Sequence, residues 1–179
     1  MRKFFVESEN INDGKVIITN GDVNHIKNVL RLEVSDKVLI CDKTKSNNYV
    51  CEITSISQDE VDLKIIDEKK AEAESNVRLD IYQGLPKSDK MELIIQKGTE
   101  LGVNSFIPVK FERCVVKLDE KSETKKIDRW QKIAEMAAKQ SMRDIVPEVE
   151  KTVTVKEITK MIDKQILTNY IEHKFFLTH

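Results

Sequence analysis

The chain has 179 residues, 40% hydrophobic and 34% charged, and its 30 Lys and Arg nearly balance 31 Asp and Glu for a formal net charge of −1. That length allows one ordinary domain or two small ones, the apolar fraction suffices for a packed core, and near-neutrality removes any global attraction to phosphate. No apolar run reaches the ~18 residues of a membrane span, and the basic start turns acidic at Glu7 and Glu9 before a signal-peptide core can form, so a cytosolic, cytoplasmic protein is expected.

Arg2 to Val6 and Lys15 to Thr19 are short β-branched and aromatic runs around the turn-prone Asn12-Asp13-Gly14, and they predict a hairpin or neighbouring strands. Asp22 is placed to cap a short helix carrying Val23, Ile26, Val29 and Leu30 at helical spacing and ending near Arg31. Lys37 to Asp42, Tyr49 to Ile56 and Val61 to Ile66 are three further strands. Five short strands and one helix predict a compact barrel over residues 1–67. The charged, aperiodic stretch from Asp67 to Asn76 predicts a linker, taken as 68–76.

From Val77 the period changes. Val77 to Gln83 alternates as a strand, Lys87 to Leu101 places Met91, Ile94, Ile95, Gly98 and Leu101 on one helical face, Gly102 stops that helix, and Ser105 to Lys110 is the next strand. This β-α-β order predicts parallel strands with a right-handed crossover. A helix follows from about Lys125 to Met142 with Ile127, Trp130, Ile133, Ala134, Ala137 and Ala138 inward. Ile145 to Val149 suits a short strand, and Thr154 can cap a last helix through about Ile166. Residues 77–179 therefore read as an α/β unit short of strands. Tyr170, Ile171, Phe175, Phe176 and Leu177 form an apolar tail without period and with no obvious place to pack.

Five glycines leave no G-x-G-x-x-G fingerprint and no Walker A loop, and His25, His173 and His179 form no H-E-x-x-H pair. No G-x-S-x-G elbow is present. Cys41, Cys51 and Cys114, three and far apart, predict buried or incidental thiols rather than a metal site. His25 is a surface helix residue or, with Lys27 and Arg31, part of a small cationic patch. The basic helix 125–143 reads as a solvated face, with Asp128 and Glu135 among its cations. Lys87 and Lys90 at a helix N-terminus oppose the macrodipole unless they face an anion, and phosphate is the natural one.

The run Gln83-Gly84-Leu85-Pro86-Lys87-Ser88-Asp89-Lys90-Met91, then Gln96-Lys97 and Thr99-Glu100-Leu101-Gly102-Val103, closely resembles the ribosomal RNA small subunit methyltransferase E family. So do His25 with Val29-Leu30-Arg31, Arg113-Cys114-Val115-Val116, Arg129-Trp130, and Ala137-Ala138-Lys139-Gln140-Ser141 with Arg143 and Val146-Pro147, in family order. The resemblance implies an α+β two-domain protein: an N-terminal PUA-like, RNA-binding β-barrel, then a SPOUT-type α/β domain that holds S-adenosylmethionine in a trefoil knot. It implies methylation of N3 of a uridine in 16S rRNA, the rRNA or small ribosomal subunit as partner, a homodimer, and no metal or membrane. Ser88 and Met142 stand where that family has glycine.

The family's Gly-Pro-Glu-Gly-Gly and Leu-Gly-x-Arg-Ile-Leu-Arg cofactor segments have no counterpart here, and the match fades after about Lys164. The expectation is a truncated member with its knot portion missing, no cofactor-binding residue, an atypical tail from about residue 165 and doubtful activity. The alternatives are a non-catalytic rRNA-binding fragment or an unstable remnant. Charge, placement and motif match select His25, Arg31, Lys87, Lys90 and Arg113 as RNA contacts, with Gln140 and Arg143 orienting the uracil or its developing anionic oxygens. No residue is assignable as general base.

Overall fold

A computed structural model describes residues 1–19, 21–45, 47–69, 74, 77–87, 89–111, 120–166 and 173–177. The fold is α+β, in two compact units, Met1–Glu74 and Ser75–His179. In the first unit, strand β1 (Arg2–Val6) leads through a 3-10 turn (Ser8–Asn10) to the short β2 (Ile11–Asn12) and β3 (Lys15–Thr19). Helix α1 (Gly21–Asn24) continues as a π-helical turn, His25–Leu30. Strands β4 (Lys37–Asp42), β5 (Asn48–Ile56) and β6 (Glu60–Lys69) complete a six-stranded sheet ordered β1-β4-β5-β6-β3-β2.

Phe4 and Val6 of β1 share one buried cluster with Val16 and Ile18 of β3, although three strands lie between them in the sheet order. The sheet therefore curls around its core, and Val23 and Ile26 from the helical segment pack into the same cluster. The expected pairing of Arg2–Val6 with Lys15–Thr19 is not what forms: β1 pairs in parallel with β4, and β3 pairs with β2 and β6. The tight turn at Asp13 and Gly14, both at positive φ, closes the small β2–β3 hairpin instead. Asp22 lies inside the first helical turn rather than before it. The expected linker also begins too early, because Asp67, Glu68 and Lys69 pair with Val50, Tyr49 and Asn48 of β5 across a register shift. Their side chains are exposed, so charge costs that part of the strand little.

The second unit has β7 (Leu79–Gly84), α2 (Lys90–Glu100), β8 (Ser105–Lys110), α3 (Glu120–Gln140), β9 (Glu148–Val149), β10 (Val153–Thr154), α4 (Val155–Ile166) and β11 (His173–Leu177). The sheet runs β10-β8-β7-β11 with β9 also on β8, all parallel. Part of the tail joins the sheet: His173–Leu177 is an edge strand beside Leu79–Gln83, while Tyr170 and Ile171 lie outside the described residues. Met91, Ile95, Phe106, Trp130 and Ala134 build the core on one face, and Leu101, expected inward, is 83% exposed at the end of α2. Thr154 begins α4 with a capping box, its N–H and Oγ both donating to Glu157 Oε2 at 2.7 Å.

Candidate RNA interface

In the first unit the candidate surface is the outer face of the helical segment. Val23 and Ile26 anchor one side in the core, which leaves Asn24, His25, Asn28 and Val29 exposed on the other. The switch from i−4 to wider π bonding after Asn24 is rare in soluble proteins and recurs at functional sites. The His25 ring meets Phe4 edge-on at 6.4 Å between centroids, which fixes the imidazole beside the strand. Lys27 Nζ donates to the Ser57 carbonyl at 2.8 Å and ties the helix to the β5–β6 turn.

Arg31 ends the segment in left-handed conformation, φ 53°, and Leu32 N–H then bonds the Ile26 carbonyl at 3.0 Å. Glycine is the usual residue in such an ending, because a Cβ there costs about 1 kcal/mol. Arginine carries that cost while its side chain stays exposed. Among the described residues neither His25 nor Arg31 forms an ion pair, whereas Lys43 is held by Glu7 at 3.1 Å.

In the second unit β7 delivers the chain to the carboxyl edge of a parallel sheet, where open α/β sheets place their ligands. Leu85 N–H bonds the Val109 carbonyl at 3.0 Å and sets the turn, after which Lys87 and Lys90 stand exposed at the start of α2. Asp89 precedes the helix without a side-chain cap bond. Neither lysine is ion-paired among the described residues, while Arg129 bridges Glu92 at 2.8 Å, Lys97 bridges Glu100 at 2.8 Å and Lys139 bridges Glu135 at 3.0 Å. Arg113 lies outside the described residues.

Gln140 and Arg143 are not with these lysines. Helix α3 returns the chain to the amino edge of the sheet, as the β8–α3–β9 crossover requires. There Arg143 is only 5% exposed, and its Nη1 donates to the carbonyls of Thr99 at 3.3 Å and Val103 at 2.5 Å. Its guanidinium is turned into the protein and braces the α2–β8 turn. Gln140 is exposed at the end of α3, in a groove with Leu93, Gln96, Ile133 and Met136.

Reading the sequence alone missed two polar features. Asn24 and Asn28, four apart on an exposed helix face, join through Asn28 Nδ2 donating to Asn24 Oδ1 at 2.6 Å. Two asparagines at that spacing, both poor helix formers, were the available signal. Asp42 is buried at the β4–β5 turn, where Ser8 Oγ donates to its two oxygens at 2.6 and 2.7 Å and the N–H groups of Thr44 and Lys45 bond Oδ1. Burial raises its pKa, but these bonds and the Lys45 charge outweigh burial and hold the carboxyl below its ordinary value.

Cys41 and Cys51 are buried, and burial pushes the Cys51 thiol up to about 12, which leaves it unreactive. Among the described residues no group of His, Cys, Asp and Glu could hold a metal, and no helix is long and apolar enough to cross a membrane.

Known proteins match both units. A profile described as an RNA methyltransferase PUA domain fits residues 18–66, and one described as an RNA methyltransferase domain fits residues 73–177. Ribosomal RNA small subunit methyltransferase E of Bacillus subtilis is 42% identical over 152 residues, 83% of this chain and 59% of the relative. The Aquifex aeolicus protein of the same name is 29% identical over 92% of this chain and 70% of the relative. Among solved structures, ribosomal RNA small subunit methyltransferase E from Neisseria gonorrhoeae bound to S-adenosyl methionine superposes with a TM-score of 0.79 at 29% identity, covering 88% of this chain and 64% of that one. The chain thus spans about six-tenths of the length of the Bacillus protein.

Proposed function

Since the chain belongs to the ribosomal RNA small subunit methyltransferase E family, we propose that it docks small-subunit rRNA for methylation of N3 of a uridine in 16S rRNA, with S-adenosylmethionine as methyl donor. The observation that carries this reading is the match of both units, in order, to one rRNA methyltransferase across 152 residues. The geometry supports the RNA part of it. His25 and Arg31 in the first unit, and Lys87 and Lys90 in the second, are exposed and without ion pairs among the described residues. Of these, Arg31, Lys87 and Lys90 are the cations that release counterions when they meet phosphate. Within this reading the first unit is a PUA-like RNA-binding domain, the second the front of a SPOUT-type domain, and the setting cytoplasmic.

Among the described residues, those of the α2–α3 groove do not fit S-adenosylmethionine. Holding its adenine and carboxylate takes free backbone groups on a concave ledge. The α2–α3 groove offers the sides of two helices instead, whose mid-helix backbone groups bond within the helices. Gly98, where a missing Cβ would open the backbone, is filled by Phe106, whose ring atoms would stand 2.6 and 2.7 Å from an added Cβ. The transfer itself is therefore not routed through these residues. Their part is to bind and orient the RNA so that the uracil N3, which must shed its proton before it attacks the methyl group, is presented in line.

Filter binding to 16S rRNA across a salt series, beside calorimetric titration with S-adenosylmethionine, tests this. Salt-dependent RNA binding that weakens when His25, Arg31, Lys87, Lys90 and Arg113 are all changed to Ala, with no saturable uptake of the cofactor by the chain alone, is expected. An unchanged affinity and salt slope in the fivefold variant would overturn the RNA assignment.

A further inference from the structure

We infer that the cleft between the π-helical segment and the β5–β6 turn of the first unit is a base-reading subsite that takes an unpaired guanine. This rests on the proposal that the chain binds RNA and goes beyond it, from holding phosphates to reading a base. The cleft measures about 490 Å³ and places Asn24, Lys27 and Asn28 opposite Gln58 and Asp59, with Val23 at its floor. That volume lies in the range of small-molecule pockets.

Its lining does not suit phosphate. The one cation among its described lining residues, Lys27, already donates to the Ser57 carbonyl, and Asp59 sets an exposed carboxylate against phosphate. What remains is an array of polar groups with fixed polarity. Because Asn28 Nδ2 donates to Asn24 Oδ1, the free ends are the Asn24 amide N–H groups, which donate, and the Asn28 carbonyl oxygen, which accepts. The wider π turn keeps residues four apart close to one face, so both amides line the cleft.

The lining thus offers a donor and an acceptor from the asparagine pair, the Gln58 amide, which does both, and the Asp59 carboxylate, which can only accept. Guanine is the base whose edge sets one acceptor, O6, beside two donors, N1–H and the N2 amino group. Uracil and cytosine each present two acceptors to one donor, and adenine lacks a second adjacent donor. Asp59 is the group that turns a general amide site into one for guanine.

Fluorescence anisotropy of the full chain with labelled decauridine, and with the same strand carrying a single central G, A or C, tests the subsite. The G strand is expected to bind about tenfold tighter than the other three, the discrimination of one good bidentate base contact. Changing Asn24 and Asn28 together to Ala should level the four strands, and Asp59→Asn should shrink the G preference, with the salt slope unchanged in both. These side chains are exposed, so the melting temperatures should hold, and Asp59→Asn, in a turn, serves as the independent check. Equal binding of the four strands, or a G preference that survives the double variant, overturns the inference alone if 16S rRNA still binds. Absence of binding to any RNA would overturn the docking reading as well.

Discussion

Two arginines close helices in the two units, and they end in opposite places. Arg31 follows the π turn and is exposed, while Arg143 follows α3 and is 5% exposed. The difference is one residue of register. Both helices finish with a left-handed residue followed by one whose N–H reaches back into the last turn: Leu32 to Ile26, Arg143 to Ala138. Helix α2 ends the same way, with Gly102 left-handed and Val103 N–H on the Gly98 carbonyl at 3.0 Å. In all three the left-handed residue faces out or partly out, and the next one, Leu32, Val103 or Arg143, turns toward the core. Arg31 occupies the outward position and Arg143 the inward one, so the first is available to a ligand and the second is structural.

The sharpest way to break this comparison is to remove each arginine. Arg143→Ala deletes two charge-assisted bonds to the carbonyls of Thr99 and Val103 and should cost about 3 kcal/mol in urea unfolding of the second unit. Arg31→Ala should leave stability within about 0.5 kcal/mol and lower the RNA salt slope by about one unit. If Arg143→Ala were stable and lost RNA affinity instead, the inward assignment would be wrong.

A second test asks how tightly the α2 ending is packed. An added Cβ at Gly98 meets the Phe106 ring at 2.6 Å, and Phe106 is fully buried, so Gly98→Ala should destabilise the second unit by about 2 kcal/mol despite its better helix propensity. Thermal melting with and without a compensating Phe106→Leu reads this directly. Partial rescue is expected from the smaller side chain.

Asp42 gives the first unit its own signature. Its carboxyl is held below the ordinary value, 3.8, that unfolding restores. The stabilisation is therefore complete above that value and is lost as pH falls through the lower folded-state value. Urea midpoints of the first unit should decline on acidification below about pH 4, and Asp42→Asn should flatten that limb while costing about 1 to 2 kcal/mol at neutral pH. A limb as steep in the variant as in the parent would assign it to other carboxylates.

Much of the secondary structure was legible because it rests on local periodicity. β1, β3, β4, β5 and β7, the inward face of α3 and the capping residue of α4 all follow from spacing and end signals. Pairing was less so. That β1 joins β4 in parallel is a nonlocal choice set by closing the core, and the nearby turn argued for the wrong partner. The charged end of β6 read as linker, because its pairing with β5 leaves the side chains in water. Strand β11 lacks the alternation that marks a strand. For the candidate site, charge and motif select His25, Arg31, Lys87 and Lys90, all exposed, but neither tells an outward arginine from an inward one. That distinction depends on which residue of the helix ending is left-handed, and Met142, with a side chain that disfavours φ 60°, gave no sign of it.

Met142 also offers the smallest and most discriminating test. Its left-handed conformation carries a penalty of about 1 kcal/mol that glycine would not. Met142→Gly should therefore stabilise the second unit by about 0.5 to 1 kcal/mol, after allowing for the greater freedom glycine gives the unfolded chain, with RNA affinity unchanged. Arg31→Gly makes the same backbone change at the other ending and should stabilise the first unit by a similar amount, yet it removes an exposed cation and should weaken RNA binding. Equal backbone gains with opposite effects on RNA would separate the strain at Met142, which has no counterpart in binding, from the strain at Arg31, which holds a cation where RNA can reach it. If both variants bound RNA as the parent does, the left-handed arginine would be no more than a helix stop.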